Sequence, residues 1–64
     1  MVKINGTPTD ASGKTIREYL SRTAYDPARI AIEKNGEIVP KSQYDSTVLK
    51  NGDSIEIVSF VGGG

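Results

Sequence analysis

Two residue types that carry much of enzyme chemistry are missing from this sequence. Its 64 residues include no Cys and no His. That leaves no disulfide, no thiolate metal site and no catalytic thiol, and it removes the usual general base. No carboxylate pair or nucleophile–base set can be assembled from the remaining residues. The chain is therefore expected to be no enzyme, to bind no metal and to hold no cofactor of its own. The reactive group that stands out lies at the end of "VSFVGGG", where an apolar run meets Gly62, Gly63 and Gly64. Glycine loses more backbone freedom on ordering than any other residue. One reading is a frayed end or a scar of expression. The other is a thin tether for the Gly64 carboxylate. Three extended residues reach roughly 10 Å at about 3.3–3.6 Å each, and without side chains they fit a slot that any Cβ would block. The glycines are not a phosphate cradle, which needs a following helix with Lys and Ser/Thr. Because a strand-like run leads directly into them, the tether is the favoured reading.

The residues just before the tail are the second candidate site. In "IEIVSFV", Ile55 and Ile57 alternate towards a core, so Val58 and Phe60 point the other way. They form either a partner-binding surface or, for Phe60, a contact under the long loop after Val39. Single exposed apolar residues are ordinary, and both readings stand. Tyr19 reads as core edge. Arg17, Arg22 and Lys34 read as solvated charges, and Asp26 before Pro27 as a helix stop.

The elements that must position these residues follow from periodicity. "MVKIN" alternates, with Val2 and Ile4 on one face. Asn5-Gly6 is a strong two-residue hairpin signal, because both central positions of a type I′ turn need positive φ. "TPTD" is the return strand, and Pro8 confines it to a sheet edge. Thr15 and Glu18 have capping-box spacing, and Ile16, Tyr19, Leu20 and Thr23 make one stripe. These predict a helix over Thr15 to Thr23, stopped by Asp26-Pro27. "RIAIEKNGEIVP" is a second hairpin with Ile30 and Ile32 inward, Asn35-Gly36 at the turn and Ile38-Val39 opening the return. "KSQYDSTVLKNGD" is irregular with one short helical turn, and Tyr44, Val48 and Leu49 plug the open end. Asn51-Gly52-Asp53 turns into the last strand, "SIEIVSFV".

The strand order, with apolar first and last strands, predicts an α+β fold. A mixed sheet would pair those two strands at its middle and carry one helix across one face. The core would be Val2, Ile4, Ile16, Leu20, Ile30, Ile32, Ile55 and Ile57. This is the ubiquitin-like β-grasp arrangement, with a domain over 1–61 and a glycine tail over 62–64. Eight acidic residues balance eight basic ones, which argues against nucleic acid or an anionic membrane as partner. No apolar run approaches the roughly 20 residues of a membrane span. "MVKINGTPTD" has no apolar signal-peptide core, and a Cys-free chain fits the cytoplasm.

"NGEIVPKSQYDSTVLKNGDSIEIVSFVGGG" resembles the C-terminal half of the ThiS family, the sulfur carriers of thiamine biosynthesis. The shared features are an asparagine hairpin, an I-V-P stretch followed by an aromatic residue, and a G-D turn leading into an apolar strand that ends on Gly-Gly. "GKTIREYL" fits the front half. Gly62 stands where other members carry another small residue. The resemblance implies a protein cosubstrate. The Gly64 carboxylate would be adenylated with ATP by a ThiF-like partner resembling the ubiquitin-activating enzymes, with Gly62 and Gly63 threading that partner's active site. A sulfur donor protein would then yield a C-terminal thiocarboxylate, which passes sulfur to a ThiG-like thiazole synthase. Two other readings carry the same tail or fold. One is the small subunit of molybdopterin synthase, the MoaD family, whose chains tend to be longer. The other is a ubiquitin-like binding module without tail chemistry.

Overall fold

The computed structural model describes residues 1–60. Among these residues five strands form one mixed sheet: β1 (Val2–Ile4), β2 (Thr7–Thr9), β3 (Ile30–Lys34), β4 (Glu37–Val39) and β5 (Ser54–Ser59). Their order is β2-β1-β5-β3-β4, with β1 and β5 parallel at the middle and every other neighbour antiparallel. One helix, α1 (Ile16–Leu20), is packed through its buried residues Ile16 and Leu20 into the same core as the strands. This is the expected α+β, β-grasp arrangement, with Pro8 on an edge strand where its missing N–H costs no interior ladder bond. The boundary expected after residue 61 and the tail Gly62–Gly64 lie outside the described residues.

Both Asn-Gly pairs form the turns their chemistry demands. Asn5 and Gly6 sit at φ 51° and 84°, Asn35 and Gly36 at 53° and 86°, the doubly left-handed pattern of a type I′ turn. All eight expected core residues are buried, and Ala11, Val39, Tyr44 and Leu49 join them. Each fully buried Ile, Leu or Val is worth about 1.5–3 kcal/mol over its exposed state.

The helix starts as expected and stops early. Thr15 Oγ1 accepts from the Glu18 N–H at 3.1 Å while Glu18 Oε1 accepts from the Thr15 N–H at 2.8 Å, a complete capping box. The first-turn N–H groups of Ile16 and Arg17 donate to the carbonyls of Thr47 and Tyr44, both at 3.0 Å. The long loop thus satisfies donors that a helix leaves unpaired. Helical structure ends at Leu20, not Thr23. The Ser21 and Thr23 hydroxyls donate to the carbonyls of Glu18 and Leu20. The N–H groups of Arg22 and Thr23 bond three residues back. Such local hydroxyl bonding competes with helix continuation. Asp26 is accordingly not a helix stop. It caps a 3₁₀ turn, Pro27–Arg29, by accepting from the Ala28 N–H at 2.9 Å. The short helical turn in the long loop is Lys41–Gln43. Tyr44 and Leu49 plug the open end, whereas Val48, expected beside them, is exposed: in the short extended stretch that bridges Thr15 it alternates with the inward-facing Leu49.

Candidate functional site

β5 carries the site, and its alternation divides it cleanly. Ile55 and Ile57 are buried, while Ser54, Glu56 and Val58 face out. On the outer face Val58 lies opposite Ala31 of β3, and Glu56 opposite Glu33. The strand is held one bond further, where the Phe60 N–H donates to the Arg29 carbonyl at 2.7 Å. Val58 and Phe60 are 54% and 57% exposed. Phe60 is therefore not covered by the loop after Val39. Ile38 is a further exposed apolar residue on the outer face, opposite Glu33. Gly62, Gly63 and Gly64 lie outside the described residues.

The edges of β5 are held differently along its length. On the β1 side, Lys3 N–H donates to Asp53 O at 2.9 Å and Asn5 N–H to Ile55 O at 2.8 Å. There β1 turns away, yet β5 continues. The Asn5 side chain takes over: its Oδ1 accepts from Ile57 N–H at 2.7 Å and its Nδ2 donates to Ile57 O at 3.3 Å. At the start of β5 the second turn does a similar thing. Asn35 Oδ1 accepts from Ser54 N–H at 2.9 Å and Asn35 Nδ2 donates to Asp53 Oδ1 at 3.1 Å. Sequence reading explains both asparagines by backbone conformation alone and misses these clamps. The signal available was the choice of Asn over Gly at the first turn position, which leaves an amide to place.

Electrostatics around the site serve the fold. Burial works to raise the pKa of Asp53. The hydrogen bonds from Asn35 and Lys50 outweigh it, with help from the Lys34 and Lys50 charges, and hold the carboxyl below its ordinary value. Glu18 is lowered mainly by its backbone bond from Thr15. Burial raises Tyr44, and burial with the neighbouring Tyr25 raises Tyr19, which packs at the core edge as expected. Arg17 pairs with Asp45 and Arg29 with Asp26, both exposed and so worth little. Among the described residues no group of Asp and Glu could hold a metal ion, and no helix is long and apolar enough to cross a membrane. The described part of the site can present an apolar face and aim a strand. It offers no catalytic constellation.

Comparison with known proteins places this arrangement. The family model described as "ThiS family" matches residues 2–64. The chain is 37% identical to the "Sulfur carrier protein ThiS" of Bacillus subtilis, covering 100% of both chains. It is 42% identical over 62 residues to a "Thiazole synthase" of Paramagnetospirillum magneticum, covering 95% of this chain but only 19% of that protein. The chain thus spans about a fifth of that relative's length. Among solved structures, the crystal structure of the thiamine biosynthesis protein ThiS from Geobacter metallireducens superposes with a TM-score of 0.79 at 32% identity. The match covers 98% of this chain and 97% of that one.

Proposed function

The chain belongs to the ThiS family, and from that premise we propose that it is a sulfur carrier whose Gly64 carboxylate is the working group. The observation that carries this reading is the junction at the end of β5. A strand locked by Ile55 and Ile57 leads through two exposed apolar residues to a sequence that continues Val61-Gly62-Gly63-Gly64.

The chemistry needs two steps because a carboxylate is a poor electrophile at neutral pH. First, a Gly64 carboxylate oxygen attacks the α-phosphorus of ATP and pyrophosphate leaves, giving an acyl-adenylate. Next, sulfide delivered by a donor attacks that carbonyl carbon, the bond to the AMP oxygen breaks and AMP leaves, giving the thiocarboxylate directly. Its sulfur is a soft nucleophile and is passed on in thiazole formation. ATP and sulfur donor are used by partner enzymes and not held by this chain. An adenylyltransferase resembling the ubiquitin-activating enzymes performs the first step. Thiazole synthase as the acceptor is supported by the relative of that name, which contains a stretch similar to this chain. The same relative favours thiazole over molybdopterin chemistry. Gly62 and Gly63 thread the partner's active site, and Val58 and Phe60 dock against the partner. The chain acts as a cosubstrate in the cytoplasm.

The test is ATP–pyrophosphate exchange with the adenylyltransferase. The native chain should support exchange. Gly63→Val should suppress it with little change in stability, because a branched Cβ both widens the tail and narrows its φ. Normal exchange by Gly63→Val would remove the threading role. A chain that supports no exchange would leave the binding-module reading in its place.

A further inference from the structure

The clamp at Ile57 bears on how the tail is aimed. β1 ends at Ile4 and its last main-chain bond to β5 reaches Ile55. β5 runs on to Ser59. On its far edge β3 pairs with it through Ser59, and Arg29 takes the Phe60 N–H. On its near edge the Asn5 amide stands where further β1 residues would have been, bonding both polar backbone atoms of Ile57 across 52 positions of sequence. Ile57 is also the last buried residue among those described. After it the strand is held on the β3 side.

We propose that Asn5 is a positioning residue for the tail: its side-chain amide fixes Ile57 from the β1 edge and thereby sets the direction in which β5 leaves the domain. A strand held along one edge alone pivots about that ladder, and functional groups need placement within about 0.5 Å by such supporting bonds. This inference rests on the tail chemistry proposed above, where an error of about 1 Å at the reacting group costs up to about 10²-fold. Asn35 is the internal control. It has the same turn geometry and a comparable clamp, but it grips the start of β5, at Asp53 and Ser54.

The experiment compares Asn5→Gly with Asn35→Gly. Glycine keeps the positive φ of either turn and deletes only the amide. Two readouts are taken. Amide hydrogen exchange and backbone order by NMR report the free protein, and steady-state adenylation reports the reaction as separate kcat and KM. Asn5→Gly should expose the Ile57 amide to exchange and loosen Val58 to Phe60. It should lower kcat about tenfold and raise KM by clearly less than that, since the docking side chains Val58 and Phe60 are retained and only their order is reduced. Asn35→Gly should lose stability similarly but keep kcat. Asn5→Asp retains the Oδ acceptor and loses the donor, and should recover part of the rate. That variant also keeps the test decisive if Asn5→Gly fails to fold. Equal kcat for Asn5→Gly and Asn35→Gly, or unchanged order from Val58 to Phe60 in Asn5→Gly, overturns the proposal. If the native chain is never adenylated, the tail chemistry is what fails. The NMR comparison still decides whether Asn5 orients the strand.

Discussion

Within β5 and the residue that follows it, the apolar side chains have opposite fates. On one edge Ser54 and Ile55 pair with β1 and Ile57 is held by the Asn5 amide, β3 lies along the other edge, and Ile55 and Ile57 are buried at 2% and 6%. Val58 to Phe60 has lost β1, keeps β3 on one edge, and leaves Val58 and Phe60 more than half exposed. Hydrophobicity alone does not separate them. What separates them is the face each residue occupies. Ile55 and Ile57 point into the core shared with Ile16 and Leu20, whereas Val58, in phase with Ser54 and Glu56, points to the outer face, and no described residue after Ile57 is buried. One strand thus serves as the middle of the fold and, in the proposed function, as the handle for the tail.

The largest effect that could break this comparison is at Ile57. Ile57→Ala should destabilise by about 2–5 kcal/mol. That is comparable with the whole net stability, about 3–5 kcal/mol, expected of a core this small, so denaturant titration should find the variant largely unfolded. Next comes Phe60→Ala. It should leave the unfolding midpoint nearly unchanged and weaken binding to the adenylyltransferase by about 2 kcal/mol or more, measured by calorimetry. If Phe60→Ala unfolds the domain, the division drawn at Ile57 is wrong.

A smaller effect lies in the acid range. Asp53 at the head of β5 has its folded pKa depressed by its hydrogen bonds and neighbouring lysines. Its stabilisation is present above the ordinary carboxylate value and is lost as pH falls from there through the folded value. Asp53→Asn should flatten that part of the stability curve, read as the denaturation midpoint against pH. The smallest effect is on the outer face, where Glu33 and Glu56 are directly opposite. Like charges in that register are unfavourable, so Glu56→Gln should raise stability by about 0.2–1 kcal/mol, seen as a small increase in Tm.

Much of this was legible in the residues. Alternation in "VKI", "IAI" and "IEI" identified the strands and the buried set, and two Asn-Gly pairs identified the hairpins, because these signals act over a few neighbouring residues. Val58 and Phe60 could be read as outward but not as uncovered, since cover depends on the path of the loop after Val39, which no local signal gives. The stripe through Thr23 overstated the helix because hydroxyl bonding at Ser21 and Thr23 competes with it locally. Val48 is misplaced because adjacent residues of an extended stretch face opposite ways, and only the fold shows that Leu49 is the one turned inward. The Asn5 and Asn35 clamps were invisible for the same reason: the local turn explains each asparagine, and only the folded sheet brings Ile57 and Ser54 within reach.

The central claim is that Gly64 bears the sulfur, and it is tested most directly by intact mass. The native chain and a variant with one residue appended after Gly64 are each incubated with the adenylyltransferase, ATP and a sulfur source. The added residue shifts the carboxylate by roughly 3.5 Å and leaves the packed domain unchanged. The native chain should replace one oxygen by sulfur, with fragmentation placing the change on Gly64, while the extended chain stays unconverted. Equal conversion of the extended chain would contradict the account.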